Sequence, residues 1–338
     1  MIRYGFACKT IGVPHADLTA LTLARATDEN MLIVCRHNLR ALANMLRYCA
    51  AVRIPLMRIS SDIIPLASHP QNSFDWRARL QPELNDLRAL LAQTGVRVSM
   101  HPGQYTVLNS PRHDVVEKAV ADLRFHAEFL DALGAGQNAR LVLHLGGGYG
   151  DKNAAMHRLA ENVLALPPQV RDRLSLENDE RVYTIADALQ VCGRCGLPAI
   201  FDIFHHSLNP PDHGDTAYWL DQATETWSAQ HGRPKLHYSQ QLPGGKPGMG
   251  FSPAPGRARP RACTRRSPPG CEGLPKSRTR ASTVPAGSPG ASTRQGASAK
   301  CSRSSCASSL SALRTARPRS LPEGRTETSR FSTASVSP

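Results

Sequence analysis

The sequence predicts an α/β fold, a TIM (β/α)8-type barrel, on two observations. Short apolar runs alternate with longer stretches of helical period, seven times between residues 3 and 238. Nearly every run ends in a His, Asp or Glu, as suits a ring of parallel strands converging on one site. A doubly wound sheet has the same alternation but gathers its site at one switch point.

In chain order, residues 3–8 form a first strand, and Asp28-Glu29 precede a helix in which Leu39, Leu42, Leu46 and Cys49 recur at intervals of three and four. Residues 54–60 make a second strand, whose outflow SSDIIPLASHP carries His69, and residues 84–93 return to helical period. The third strand, VSM at 98–100, runs into His101, and Pro102-Gly103 stop it. Ser110-Pro111 supply an N-cap and first helical residue for a helix with Val116, Val120, Leu123, Ala127 and Leu130 on one face.

A fourth strand, 140–143, ends in His144 and the glycines 146–148, and a helix over 152–165 follows. The fifth, 173–176, ends in Glu177-Asn178-Asp179-Glu180, after which Thr184 caps a helix that stops at Gly193 or Gly196. The sixth, 198–201, ends in Asp202 and His205-His206. A helix around 216–229 leads to the seventh, 234–238, bearing Lys235 and His237. An eighth strand–helix unit is missing from this pattern.

Charge separates two regions. The chain carries a net charge of +14, of which residues 251–338, with 16 Lys plus Arg and 3 Glu, account for +13. The first 250 residues are close to neutral, so bulk charge does not reveal what they bind. From Phe251 onward there is no His, Asp, Asn, Ile, Met, Trp or Tyr, and no apolar period. We therefore expect a barrel domain over 1–248 and a basic, Arg/Ser/Pro/Ala-rich disordered tail over 249–338. The tail reads either as a nucleic-acid-binding segment or as a shifted reading frame, and the abrupt change near Gly248–Phe251 favours the second.

Nine cysteines scattered without a paired framework suit reduced thiols, and no apolar run is long enough to span a membrane. With no signal-peptide core at the start, a cytoplasmic protein is expected. Cys192-Gly-Arg-Cys195 reads as packing rather than metal or redox chemistry, and the triple glycine as a permissive turn, since no P-loop Lys-Ser/Thr follows.

His101, His144, Glu177, Asp202, His205 and His237, with His69 nearby, all lie at or just after strand ends. In a barrel they share one pocket. Four imidazoles and two carboxylates exceed the needs of one tetrahedral ion and suit two or three metals. His113, His126, His157, His213 and His231 are expected on the surface. Such a centre serves phosphodiester hydrolysis or sugar isomerisation equally well.

The motifs RISSDIIPLASHP at 58–70, SMHPGQY at 99–105, LHLGGGYGDK at 143–152, LENDE at 176–180, FDIFHHSLNP at 201–210 and KLHYS at 235–239 resemble the UV damage endonucleases, in order and spacing. The likeness covers about residues 1–247 and implies a TIM barrel that nicks double-stranded DNA immediately 5′ to ultraviolet photoproducts. It implies two to three divalent ions, manganese favoured, and neither a membrane nor an obligate protein partner. It places His69, His101, His144, Glu177, Asp202, His205 and His237 at metal-ligand positions, with His69 and Lys235 in the catalytic set. Lys235 matches a lysine that can be carboxylated. Gln104 and Tyr105 match the pair inserted at the lesion, and together with LENDE they argue against an isomerase.

Two departures follow from the resemblance. The family has a further metal-binding histidine after the seventh strand and a glutamate ending an eighth. Here no His follows His237, and the later carboxylates Glu272, Glu323 and Glu327 lie in the basic region. The expectation is an incomplete barrel with weak or no nicking activity, or an inactive DNA-binding remnant.

Overall fold

The computed structural model describes residues 3–8 and 13–239. The expected tail at 249–338 and the missing eighth unit lie outside the described residues. Seven parallel strands run in sequential order, each paired with the next: β1 (Gly5–Ala7), β2 (Leu56–Ile59), β3 (Arg97–Met100), β4 (Arg140–His144), β5 (Leu174–Glu177), β6 (Ala199–Asp202) and β7 (Leu236–His237). Between them lie α1 (Asp28–Ala51), α2 (Trp76–Arg79), α3 (Gln81–Thr94), α4 (His113–Ala132), α5 (Lys152–Leu164), α6 (Pro168–Arg171), α7 (Ile185–Cys195), α8 (Ile203–Leu208) and α9 (Thr216–Glu225). None of the described helices is long and apolar enough to cross a membrane.

Two contacts establish that the sheet curls. In a flat sheet β3 and β7 would stand about 19 Å apart, four spacings of about 4.8 Å. Instead Lys235 Nζ donates to Ser99 Oγ at 2.6 Å, and Arg97 Nη1 donates to the Arg233 carbonyl at 2.7 Å. Arg97 also donates to the Asn138 carbonyl and reaches that of His231, and its guanidinium lies over the Trp227 ring. It thus ties the start of β3 to the approach to β7. The expected barrel-type sheet is present. Among the described residues β1 pairs only with β2, and β7 only with β6.

The helices form where expected, for identifiable reasons. Thr27 and the acidic pair Asp28-Glu29 open α1, and Leu39, Leu42, Leu46 and Cys49 are all buried on its inner face. A Thr184/Asp187 capping box starts α7, which runs through Gly193 to Gly196 in the left-handed conformation. Cys192 is buried there and its thiol is pushed up to about 12 by burial, as a packing role requires.

Other expectations are corrected. The helix anticipated after Ser110-Pro111 starts only at His113, because Ser110 Oγ accepts from the Arg112 amide and builds a turn first. The helix expected to reach 229 stops at Glu225, since Thr226 Oγ1 bonds back to the Ala223 carbonyl while accepting from the Ala199 amide. His126 and His231 are buried, not on the surface. His126 falls on the inner face of α4 with Leu123, Ala127 and Leu130, and its Nδ1 lies 2.7 Å from the Asp122 carbonyl.

The Arg97 contacts yield a stability test. Arg97→Ala leaves their carbonyls without this donor, and we expect a loss of about 2 kcal/mol in urea unfolding, the scale of hydrogen bonds to a charged group. An unchanged midpoint would show that the closure does not depend on this residue.

Candidate metal centre

The candidate residues come together because the strand register brings them together. The final residue of β4, His144, pairs with the final residue of β5, Glu177, and Asp202 of β6 pairs likewise with His237 of β7. Each polar side chain interrupts an apolar run at the point where its strand leaves the sheet. All four are terminal ladder residues; His144, Glu177 and Asp202 extend their strands one position beyond the apolar runs, while His237 falls within the expected seventh strand.

Glu177 is the hub. It is 1% exposed, and its Oε2 lies 2.9 Å from His101 Nε2 and 3.7 Å from His144 Nε2, while its Oε1 lies 2.5 Å from His237 Nδ1. Burial opposes its ionisation, yet the imidazoles of His237, His144 and His101 hold it well below the usual carboxylate range. Burial in turn lowers His101 to about 4 and His237 to about 3, so both rings are neutral at physiological pH.

Two groups of potential ligand atoms, each within 4.8 Å of one another, share this carboxylate: His101, Glu177 and His237, and Glu177, Asp202 and His205. Asp202 caps α8, accepting from the amides of Phe204 and His205 at 2.8 and 3.0 Å, and this cap sets His205 Nε2 3.8 Å from Asp202 Oδ2. His144 belongs to neither group, but its ring lies between them, 5.0 Å from His101 and 5.5 Å from His205 by centroid. His69 is not brought into either group. It sits in a turn after β2, with Nδ1 accepting from the Gln71 amide at 3.2 Å.

The donor set fits cations. His101 Nδ1 lies 3.0 Å from the Pro102 carbonyl and Nε2 lies 2.9 Å from Glu177, and one proton on a neutral ring cannot serve both acceptors. Protonating Nδ1 leaves an Nε2 lone pair facing a carboxylate. A shared cation removes that conflict, and a backbone carbonyl holding the second nitrogen is the usual support of a metal-bound imidazole. The buried Nδ1 of His144 has no hydrogen-bond partner. Mixed imidazole and carboxylate ligands suit manganese, iron or zinc.

Lys235 is part-buried, with Nζ on Ser99, and burial, with Arg58 adding like-charge repulsion, lowers it to about 7. Gln104 and Tyr105 occupy an exposed turn closed by the Thr106 amide on the Gly103 carbonyl, and Tyr105 is 70% exposed. A β-carbon at Gly103 would sit 2.3 Å from the Tyr105 ring, so the ring's position requires this glycine.

Supporting residues escape sequence reasoning. Ser61 Oγ donates to the His101 carbonyl at 2.7 Å. Buried Asn178 donates to the Asp202 carbonyl and accepts from its amide, locking the ends of β5 and β6 together. Glu180 Oε2 lies 3.2 Å from His205 Nδ1, and Arg58 keeps a buried Nε without a hydrogen-bond partner. The motifs RISSDIIPLASHP and LENDE contain Arg58 and Ser61, and Asn178 and Glu180, but the sequence assigns these four residues no role.

The protonation of Asp202 gives a pH test. Burial and the neighbouring Glu177 raise it to about 7, above its unfolded value, so the metal-free fold holds a proton and loses stability as pH rises from about 4 to 7. A cation must displace that proton below pH 7. Manganese affinity by calorimetry is expected to be at least about tenfold weaker at pH 6 than at pH 8, with proton release at the lower pH. Affinity independent of pH would contradict a protonated Asp202 whose proton the cation must displace.

The chain is similar to known proteins. The family model described as UV-endonuclease UvdE matches residues 2–260. The UV DNA damage endonuclease of Clostridium perfringens is 34% identical over 245 residues, covering 71% of this chain and 58% of that protein. The UV DNA damage endonuclease of Bacillus pumilus is 34% identical over 245 residues, covering 70% of this chain and 77% of that protein. The crystal structure of SacUVDE matches with a TM-score of 0.70 at 34% identity, covering 74% of this chain and 84% of that one. With the model spanning most of the chain and the barrel-type fold shared, the chain belongs to the UvdE family of UV damage endonucleases.

Proposed function

We propose that the chain is a metal-dependent DNA repair endonuclease, acting in the cytoplasm, that cuts the backbone immediately 5′ to photoproducts in UV-damaged double-stranded DNA. The observation that carries this reading is a Glu177-centred pair of ligand groups at the strand ends, one of which includes His101, three residues before an exposed Gln104-Tyr105 turn. His101, Glu177 and His237 would hold one divalent ion, and Glu177, Asp202 and His205 another. His144, whose ring lies between the two groups, would be available to either ion, and His69 would add a ligand from the β2 loop. Two or three such ions, manganese in the first place, would supply Lewis acidity for activating water and stabilising the leaving oxygen.

The chain's own residues do the rest. Tyr105 stacks where displaced bases were, and Gln104 hydrogen-bonds their exposed edges. Photoproducts unstack at lower cost than intact pairs, so deformability supplies selectivity without reading sequence. Lys235, with its lowered pKa, is poised near neutrality to shed its proton beside the cations, and its neutral amine is the form that accepts carboxylation. No protein partner is required.

A second reading, a lesion-binding form without cleavage, is favoured by one observation. No His follows His237, and Glu272, Glu323 and Glu327 lie among 16 basic residues, so the remaining family ligands have no counterpart.

An irradiated, end-labelled duplex incubated with the chain and manganese separates the two. We expect weak nicking adjacent to the lesion, and a preference for irradiated duplex that Tyr105→Ala reduces about 5- to 150-fold, matching about 1–3 kcal/mol of stacking. Preference without any nick supports the second reading, and no preference at all rejects both.

A further inference from the structure

We propose that Asp122 is a positioning residue that holds the loop of His69 and the loop of Tyr105 in one fixed relation. This rests on the roles given to those two residues above. Asp122 lies on α4 and is 4% exposed. Its Oδ1 accepts from Ser68 Oγ at 2.9 Å, and its Oδ2 accepts from Thr106 Oγ1 at 2.6 Å. Ser68 directly precedes His69, and Thr106 directly follows Tyr105. A single carboxylate therefore grips the neighbours of a candidate metal ligand and of the candidate wedge, which leave the sheet from different strands.

The anchor is rigid. One turn along α4, fully buried His126 sets Nδ1 2.7 Å from the Asp122 carbonyl and 3.6 Å from its Oδ2. Phe125 and Phe129 pack against Trp76 at centroid distances of 5.8 and 5.9 Å. Among the described residues no Lys or Arg forms an ion pair with Asp122. Burying a carboxylate without a cationic partner is costly for a core, and an apolar side chain would serve packing alone better. What the carboxylate uniquely offers is two acceptors a fixed distance apart, one for each hydroxyl. Asn keeps one acceptor and turns the other into a donor.

The test uses the full chain and the variants Asp122→Asn, Ser68→Ala and Thr106→Val. Three readings are taken: hydrogen exchange of the amides at 66–72 and 103–106, manganese affinity, and the affinity ratio for irradiated over unirradiated duplex. Thr106→Val is expected to speed exchange only at 103–106 and to lower the affinity ratio at least fivefold, with manganese affinity within twofold of wild type. Ser68→Ala is expected to do the converse, and Asp122→Asn to do both. The two hydroxyl variants keep the test decisive if Asp122→Asn does not fold, and a general loss of packing would not separate the readings in this way. A discriminating wild type whose ratio survives both Thr106→Val and Asp122→Asn overturns the proposal. A wild type that does not discriminate rejects the functional reading instead. In that case exchange alone decides, and unchanged rates in both loops of Asp122→Asn overturn the positioning role.

Discussion

A buried carboxylate surrounded by imidazoles constrains everything else in this protein. Glu177 sits at the end of β5 with His101, His144 and His237 directed at its two oxygens. A charge buried to this degree persists only when paired. Burial simultaneously keeps the rings of His101 and His237 neutral, so the pairing rests on hydrogen bonds and dipoles rather than on formal positive charges. Such a site has surplus lone pairs around a buried negative charge, a condition that suits divalent cations.

The fold delivers that arrangement through register. Parallel strands paired in sequence place equivalent C-terminal residues side by side, so His144 meets Glu177 and Asp202 meets His237 without any special loop. The loops that follow are fixed afterwards: Ser61 holds the His101 carbonyl, Asn178 couples two strand ends, and the Asp202 cap presents His205. His101 stands only three residues before Gln104, so on the proposed reading hydrolytic and recognition chemistry would share one short segment anchored at a strand end.

Much of this was legible in the sequence, for a physical reason. An imidazole or carboxylate ending an apolar run conflicts with burial, and that conflict marks a site wherever it recurs. The helices were legible too, since apolar period and caps such as Thr184 are local. Asp122 was not, because nothing in its neighbourhood on α4 distinguishes a carboxylate aimed inward at two distant hydroxyls. Arg97 was likewise unreadable, its partners before β7 being brought near only when the sheet curls. His126 was misread as a surface residue because histidine is polar, although its spacing from Leu123 and Leu130 puts it on their buried face. The roles of Gln104, Tyr105 and Lys235 came from the family's motifs, which local physics permits but does not dictate.

The most direct measurement is manganese electron paramagnetic resonance on the full chain, titrated from substoichiometric metal to excess. Two or more ions held on the shared carboxylate of Glu177 would give an exchange-coupled spectrum that Glu177→Gln abolishes. A spectrum of free hexaaqua manganese alone, or of one isolated ion unaffected by Glu177→Gln, would contradict a Glu177-centred metal cluster.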